Sequence, residues 1–252
     1  MQQTVRSAVA TRWLARWDAQ QERYVPDREE RFRVVIDVVA AVAGDGPAAV
    51  VDLGCGPGSL SRRLADALPG VQVVGVDADP LLLGLGRAHT NPRVRLIEAN
   101  LADPGWTDAT GLPGPWDAAV SSTALHWLSP ADLGQLYRVL ARNLRPGGVF
   151  VNADNMGLGL PALDGIADAV RRARTRRAGT QDNEDWAAWW QALRADDELA
   201  PLIDARSDAA IAHSGENGLT VWQHADLLRQ AGFAEAGPVW QFGDDHVLVA
   251  VR

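Results

Sequence analysis

The stretch VVDLGCGPGSL, residues 50–60, is the segment that decides the fold. A short apolar run ends at Asp52 and Leu53, a glycine-rich turn follows, and helical spacing begins at Ser59. Glycines in such a turn let the backbone bend sharply and approach a ligand closely. The segment therefore predicts a strand, a ligand-binding loop and a helix, which together form one unit of an α/β fold.

Strand and helix signals alternate around this segment from residue 44 to residue 154. The apolar runs predict strands at 48–53, 71–77, 94–99, 116–122 and 149–153. Helical spacing predicts helices at 59–68, 79–89 and 131–143, the last closed by the RPGG stop signal at 145–148. This alternation is typical of a parallel sheet covered by helices.

The same rhythm returns near the end of the chain. A helix is predicted at 221–232, followed by strands at 233–242 and 245–252. The turn Gly243-Asp244-Asp245 is short, so these last two strands are expected to pair antiparallel.

Two further regions interrupt or precede the alternating core. The first 40 residues have a helical pattern with a break at Tyr24, Pro26 and Asp27, and residues 155–218 form a long stretch rich in tryptophan and charge. We interpret the chain as one domain, 1–252, with a core of 44–154 plus 219–252. A helical cap of 1–40 and 155–218 is expected to select the substrate, because the core loops are committed to a cofactor.

Composition excludes several classes of protein. The chain has no run of about 18 apolar residues, no apolar leader and a single cysteine, which predicts a cytoplasmic protein without a membrane span or internal disulfide. The net charge of −8 argues against a nucleic-acid partner. The chain contains no lysine, so Schiff-base enzymes and P-loop nucleotidases, which require one, are excluded.

The glycine loop by itself is compatible with two kinds of ligand: a dinucleotide bound through its pyrophosphate, or a nucleoside derivative without one. A dinucleotide fingerprint would need a glycine at Ser59, whereas this chain has the spacing GxGxG. Asp77 ends the second predicted strand, where a carboxylate can accept hydrogen bonds from both ribose hydroxyls. Asn100 follows the third strand, where an amide can meet an adenine edge. The simpler interpretation of Asp77 is a helix-capping or turn residue.

These segments, in this order, resemble the class I S-adenosylmethionine (SAM)-dependent methyltransferases. The resemblance is carried by VVDLGCGPGSL (50–60), VVGVDADP (73–80), EANLADP (98–104) and LRPGGVF (144–150), with Asn100 where that family often has Asp. It implies a Rossmann-like seven-stranded α/β sheet of order 3-2-1-4-5-7-6, the last strand antiparallel, with SAM at the carboxyl ends of the strands. DAAVSSTALHWL (117–128) also resembles a small-molecule subgroup that includes trans-aconitate methyltransferase. The residues expected to contact the cofactor are Gly54, Cys55, Gly56, Gly58, Asp77, Ala78, Asn100, Leu101 and Ser121.

Methyl transfer from a sulfonium is an in-line displacement that needs alignment, a dry pocket and, for some acceptors, a base. His126 is the predicted catalytic base, because its ordinary pKa suits proton removal near neutral pH; the alternative is a purely structural histidine. Trp127 and Tyr24 are predicted to line the acceptor site, and His213 is a second candidate there. The expected acceptor is a small molecule methylated on oxygen or nitrogen, with carbon less favoured. Ser121-Ser122-Thr123-Ala124 stands where enzymes that methylate base amines or glutamine amides often carry an Asn/Asp-Pro-Pro-aromatic motif.

Other interpretations stay open at this point. A SAM-fold protein can use the cofactor for another reaction such as a cyclisation, or bind it without catalysis as an interaction module, and a nicotinamide-dependent enzyme is a third alternative. Cys55 has no activating partner in the sequence, and the histidines and Cys55 lack metal-ligand spacing, so neither a thiol nucleophile nor a metal is expected. The basic run RRARTRR (171–177) is interpreted as a solvated face balanced by the acids that follow it.

Overall fold

The computed structural model describes residues 5–44, 46–89, 91–112, 114–208 and 216–252. Its strands are β1 (Ala48–Leu53), β2 (Val71–Asp77), β3 (Val94–Glu98), β4 (Trp116–Ser122), β5 (Leu144–Asn155), β6 (Glu235–Phe242) and β7 (Asp245–Val251). They form one seven-stranded sheet of order β3-β2-β1-β4-β5-β7-β6. Strands β1 to β5 pair in parallel, and β7 is antiparallel to both β5 and β6. The predicted strand order and the antiparallel last strand are confirmed.

Ten α-helices lie in the described residues. They are α1 (Ser7–Glu22), α2 (Arg28–Ala43), α3 (Ser59–Ala67), α4 (Pro80–Arg87), α5 (Trp106–Thr110), α6 (Pro130–Asn143), α7 (Pro161–Ala178), α8 (Trp186–Arg194), α9 (Ala200–Asp208) and α10 (Val221–Ala231). Short 3₁₀ turns occupy Leu125–Trp127 and Asp197–Leu199. Most predicted boundaries agree within two residues.

Two elements differ from the prediction. The five-residue helix α5 was missed, because one turn of helix is too short to show a periodic pattern. The helix α6 ends at Asn143 as expected, but β5 begins at once at Leu144 and includes the RPGG segment, with an irregular register against β4 between Trp116 and Ala118.

The sheet buries an apolar layer on each face. One layer includes Tyr137, Phe150 and Leu228 beneath α6 and α10. The other includes Phe32, Val35 and other residues beneath α2 and α3. Helix α2 contacts β4 and β5 directly, whereas the sequence analysis placed it in the cap of 1–40.

Helix α1 packs against α4 and α8 instead. Its Trp13 and Trp17 meet the Trp189 ring edge-to-face, with centroids 5.6 and 5.1 Å apart, and Trp189 meets Trp190 at 5.0 Å. Such aromatic pairs stabilise contacts beyond their buried area. The tryptophans of α1 and α8 thus form one cluster that joins the N-terminal helix to the tryptophan-rich stretch of 155–218. None of the helices in the described ranges has the length and apolar character needed to cross a membrane.

Candidate active site

The glycine loop lies at the carboxyl edge of the sheet, between β1 and α3. Its amides are held within the protein: Gly54 N and Cys55 N donate to Val76 O at 2.8 and 3.1 Å, and Gly58 N donates to Cys55 O at 2.9 Å. Gly56 N donates to the Asp77 carboxylate at 2.7 Å. These bonds hold the loop backbone in place against the end of β2.

Gly54 and Gly56 meet different surroundings, although both have a positive φ, 65° and 54°. A Cβ at Gly54 would overlap the Cβ of Ala124, which follows β4. A Cβ at Gly56 would lie 3.6 Å from the ring of Trp17 and 3.9 Å from Leu82. Gly54 is thus required by packing between the loop and the segment after β4, whereas Gly56 lies beneath the Trp17 ring of α1.

Asp77 ends β2 beside this loop, as the sequence predicted. Its two oxygens accept from Gly56 N at 2.7 Å and Asp79 N at 2.8 Å, and each oxygen keeps a further lone pair for a ligand hydroxyl. Burial raises the pKa of Asp77 to about 6, although the two amide bonds oppose the shift. The carboxylate fits the ribose of a nucleoside and also braces the loop.

Other predicted cofactor residues have their side chains engaged within the protein. Cys55 is buried against Gly75, and burial raises the pKa of its thiol well above the ordinary value, so it is unsuited to nucleophilic attack. The Ser121 hydroxyl is fully buried and donates to Leu53 O at 2.8 Å. Asn100 is exposed, and its Oδ1 accepts from Ala102 N at 3.0 Å.

Ala78 and Leu101 both lie at the carboxyl edge of the sheet. Ala78 follows Asp77 directly, and Leu101 packs on the apolar layer beneath α6. The two residues flank the turns that follow β2 and β3, so the predicted cofactor residues do converge on one edge of the sheet.

His126 is held by a carboxylate that the sequence analysis did not single out. Its Nδ1 lies 2.9 and 3.0 Å from the two oxygens of Asp154, which is buried near the end of β5. Burial alone would lower the pKa of His126, but the hydrogen bond and charge of Asp154 outweigh it, so the pKa is raised. Asp154 lies at the carboxyl end of a parallel strand, as Asp77 does, and that position was the available signal.

The three predicted acceptor-site residues have different outcomes. The Trp127 ring is 39% exposed, with its centroid 4.9 Å from that of His126. Tyr24 is 43% exposed, and its hydroxyl accepts from Trp186 N at 3.1 Å, which places it at the junction of α1 and α8. His213 lies outside the described residues. Of the two described residues, Trp127 lies with its ring beside that of its chain neighbour His126, whereas Tyr24 lies at the junction of α1 and α8.

A buried ion-pair cluster lies next to the end of β4, and the sequence analysis missed it. Arg31 of α2 is fully buried; it donates to Asp245 at 3.0 Å, to Ser122 Oγ at 3.0 Å and to Thr123 Oγ1 at 3.2 Å. Thr123 has a φ of 54°, a strained conformation for a β-branched residue. Arg31 therefore stabilises the turn that leads from β4 toward His126.

The basic run at 171–177 takes part in the same cluster. Arg174 is buried and donates to Asp27 at 3.0 Å and to Asp245 at 3.5 Å, while Arg171 pairs with Asp168 and Asp244. The interpretation of this run as a solvated face balanced by the acids that follow it is therefore wrong for Arg174, which is buried against Asp27 and Asp245 from distant segments. Among the described residues, no group of three or more His, Cys, Asp or Glu side chains is arranged to hold a metal ion.

Comparison of the sequence with known proteins agrees with the glycine loop and the strand order. A methyltransferase-domain family model matches residues 50–148. The chain is 32% identical over 229 residues to the trans-aconitate 2-methyltransferase of Methylobacterium nodulans, covering 86% of this chain and 81% of that protein. It is 38% identical over 134 residues to the trans-aconitate 2-methyltransferase of Azoarcus sp., covering 53% of this chain. That second match spans about half of the relative, 49% of its length.

The fold is also found among solved structures. An O-methyltransferase family protein from Burkholderia thailandensis superposes with a TM-score of 0.54 at 20% identity, covering 92% of this chain and 62% of that one. The chain belongs to the class I SAM-dependent methyltransferases. SAM is the cofactor of that family, and within it the chain resembles the relatives named trans-aconitate 2-methyltransferase.

Proposed function

We propose that this chain transfers the methyl group of SAM to an oxygen or nitrogen atom of a small molecule, and that His126 accepts the proton which the acceptor loses. The observation that carries the proposal is the bond between His126 Nδ1 and both oxygens of Asp154. A buried carboxylate that orients an imidazole is a common feature of general bases.

The residues around the glycine loop would hold the cofactor. Asp77 has lone pairs for the ribose hydroxyls, and Gly56 allows close approach of the backbone. Ala78, Asn100 and Leu101 lie at the adenine side in this proposal. When bound, the cofactor supplies an electrophilic methyl group, and the carbon–sulfur electron pair leaves with S-adenosylhomocysteine.

The chain's own part in the reaction is to align the acceptor and move a proton. With Nδ1–H donated to Asp154, the neutral ring has its lone pair on Nε2. The side chain of His126 is 24% exposed and Asp154 only 3%, so the ring can meet an acceptor while the carboxylate stays out of water. A hydroxyl or amine proton would pass to Nε2 as the new carbon–oxygen or carbon–nitrogen bond forms.

A second candidate is O-methylation of a carboxylate, which the relatives' name favours. A carboxylate acceptor is already deprotonated and needs no base. His126 with a raised pKa would then act as an imidazolium that donates Nε2–H to the acceptor. The two candidates predict opposite dependence of kcat on pH, because the first needs neutral His126 and the second needs its protonated form.

The experiment is a panel of phenols, alcohols, amines and small di- and tricarboxylates, trans-aconitate included, assayed with methyl-labelled SAM for S-adenosylhomocysteine formation. With a hydroxyl or amine acceptor, kcat should rise as pH increases through the pKa of His126. With a carboxylate acceptor, kcat should fall over the same interval. SAM consumption without methylated product would instead indicate another use of the cofactor, and absence of any turnover would oppose catalysis.

We further propose that α1 and α7 to α9 act as a cap that selects the acceptor. Asp18 of α1 accepts from Ser59 Oγ at 2.6 Å and from Arg63 at 3.1 Å, both in α3. It also accepts from Arg28, at the start of α2, at 3.0 Å. This junction lies beside the glycine loop. Hydrogen exchange in α1 and α8 should slow when SAM and acceptor bind; unchanged exchange would contradict a cap.

A further inference from the structure

Asn217 makes three hydrogen bonds to the 3₁₀ turn that carries His126. Its side-chain Nδ2 donates to Leu125 O and to Leu128 O, both at 3.1 Å. Its backbone N donates to His126 O at 2.9 Å. One residue, 91 positions from His126 along the chain, thus satisfies the carbonyls at both ends and in the middle of this turn.

Asn217 is itself well anchored. Its Oδ1 accepts from Leu219 N at 3.0 Å, which fixes the orientation of the amide. Two residues later the chain enters α10, where Val221 N donates to Gly157 O at 3.0 Å. Thr220 and Gln223 close a capping box at that helix start. Residues 217–220 are therefore held firmly by hydrogen bonds between α10 and the His126 turn.

We propose that Asn217 is a positioning residue, which holds the backbone of the His126 turn so that the ring stays on Asp154 and Nε2 faces the acceptor. Asp154 orients the ring and Asn217 orients the backbone beneath it. The inference rests on the proposed role of His126. A side-chain amide suits the task because it supplies two N–H donors to two carbonyls and retains an acceptor for its own anchor.

The pKa of His126 depends on the charged groups that surround the ring, and therefore on the position in which Asn217 holds the turn. Asp154 on β5 and Glu216, the neighbour of Asn217, both raise the pKa of His126, whereas Arg31 on α2 lowers it. Loosening the turn would move the ring away from Asp154 and from Glu216 together. The pKa of His126 should then fall toward that of an exposed histidine.

The test uses Asn217→Ala and the similarly sized Asn217→Leu, both of which remove the two side-chain donors without adding a charge near His126. Asn143→Ala is the matched control, because Asn143 Nδ2 also donates to a backbone carbonyl, Val139 O at 2.8 Å. This bond lies at the C-terminal end of α6, whereas the His126 turn precedes the N-terminal end of that helix. Histidine ¹⁵N NMR of the full chain with S-adenosylhomocysteine would follow His126, assigned with His126→Gln. Both Asn217 variants should lower its titration midpoint, with SAM affinity unchanged. A midpoint equal to that of the unsubstituted chain in both variants would overturn the proposal.

Kinetics with the acceptor that the panel identifies separate this inference from the proposed function. Asn217→Ala should lower kcat by about 10²-fold, since small displacements of a reacting group have effects of that order. It should have no further effect in the His126→Gln background. If His126→Gln keeps normal turnover while Asn217→Ala still releases the ring, the base assignment fails and the positioning role stands. Equal losses with and without His126 would show that Asn217 acts elsewhere.

Discussion

His126 Nδ1 lies within 3.0 Å of both oxygens of Asp154, although the two residues belong to different elements. The pairing needs the turn after β4 and the end of β5 to come together at the carboxyl edge of the sheet, where the glycine loop also lies. The contact fixes the tautomer, because a carboxylate accepts the Nδ1 proton. It leaves Nε2 as the ring atom available to an acceptor.

Substitution of either member of this pair should reduce turnover without loss of the cofactor. His126→Gln should lower kcat by about 10²–10⁴-fold for an acceptor that must lose a proton. Asp154→Asn should lower it less, because the imidazole remains. Steady-state kinetics and calorimetry with SAM measure the two effects, and His89→Gln is the control histidine. Near-normal turnover of His126→Gln across the pH range would show that His126 is not the base.

SAM affinity should depend on Asp77 and on its charge. Asp77→Ala removes a carboxylate that is proposed to accept two hydroxyl bonds, so Kd should rise at least about tenfold. Because the pKa of Asp77 is raised to about 6 by burial, affinity of the unsubstituted chain should also weaken as pH falls below that value. Asp103→Ala, an exposed acid after β3, is the control. Calorimetry that gave pH-independent and equal affinities would remove Asp77 from the site.

Gly54 and Gly56 should fail for different reasons when a methyl group is added. Gly54→Ala should destabilise the fold by about 2–4 kcal/mol, since its Cβ overlaps Ala124 in addition to the cost of its positive φ. The second change Ala124→Gly should recover part of that loss. Gly56→Ala should cost only about 1–2 kcal/mol, the cost of its positive φ, because its Cβ would lie at ordinary contact distance from Trp17 and Leu82. It should still weaken SAM binding, since the strained loop would lose the backbone position that is proposed to approach the cofactor. Thermal unfolding and SAM titration of these three variants check this pattern.

Asp52 should destabilise the chain increasingly as pH rises. Burial raises its pKa from 3.8 to about 7, although the hydrogen bond from Ser61 opposes the shift. Between these values the folded state keeps a proton that the unfolded chain has lost, so the free energy of unfolding falls with rising pH. Asp52→Asn should therefore match the unsubstituted chain near pH 4 and exceed it at pH 8, by on the order of 2–4 kcal/mol. Exposed Asp226→Asn should show no such divergence in urea titrations.

Arg31 should be among the most sensitive charged residues in the chain. Arg31→Met leaves Asp245, within the described part of the chain, with only the longer contact to Arg174, and it removes both bonds to the turn after β4. A loss of about 3–5 kcal/mol is expected, as for one member of a buried pair. On the same helix, Arg33→Met should cost at most about 1 kcal/mol, because its pair with Glu30 is exposed. Equal losses for both arginines in urea unfolding would contradict a structural role for the cluster.

Local pattern in the sequence was sufficient for the elements and for the cofactor loop. Apolar runs that end in Leu53 and Asp77 are recognisable without their neighbours, because strand and helix periodicity depend on residues only a few positions apart. The order of such units, with a right-handed connection between parallel strands, restricts the sheet to few arrangements. The particular order 3-2-1-4-5-7-6, and the place of the loop at the carboxyl ends of the strands, came from the resemblance of these segments to the methyltransferase family.

Only the tertiary structure decided which side chains meet at the candidate site. Asp154 and Asn217 reach His126 from 28 and 91 residues away, and Arg31 reaches Asp245 across 214 residues. No periodicity links positions so distant, and their contacts depend on how strand ends and helices pack in three dimensions. Helix α2 shows the same limit: the helical pattern of the first 40 residues was visible in the sequence, but whether α2 covers the sheet or belongs to a cap depends on the surface that packing offers it.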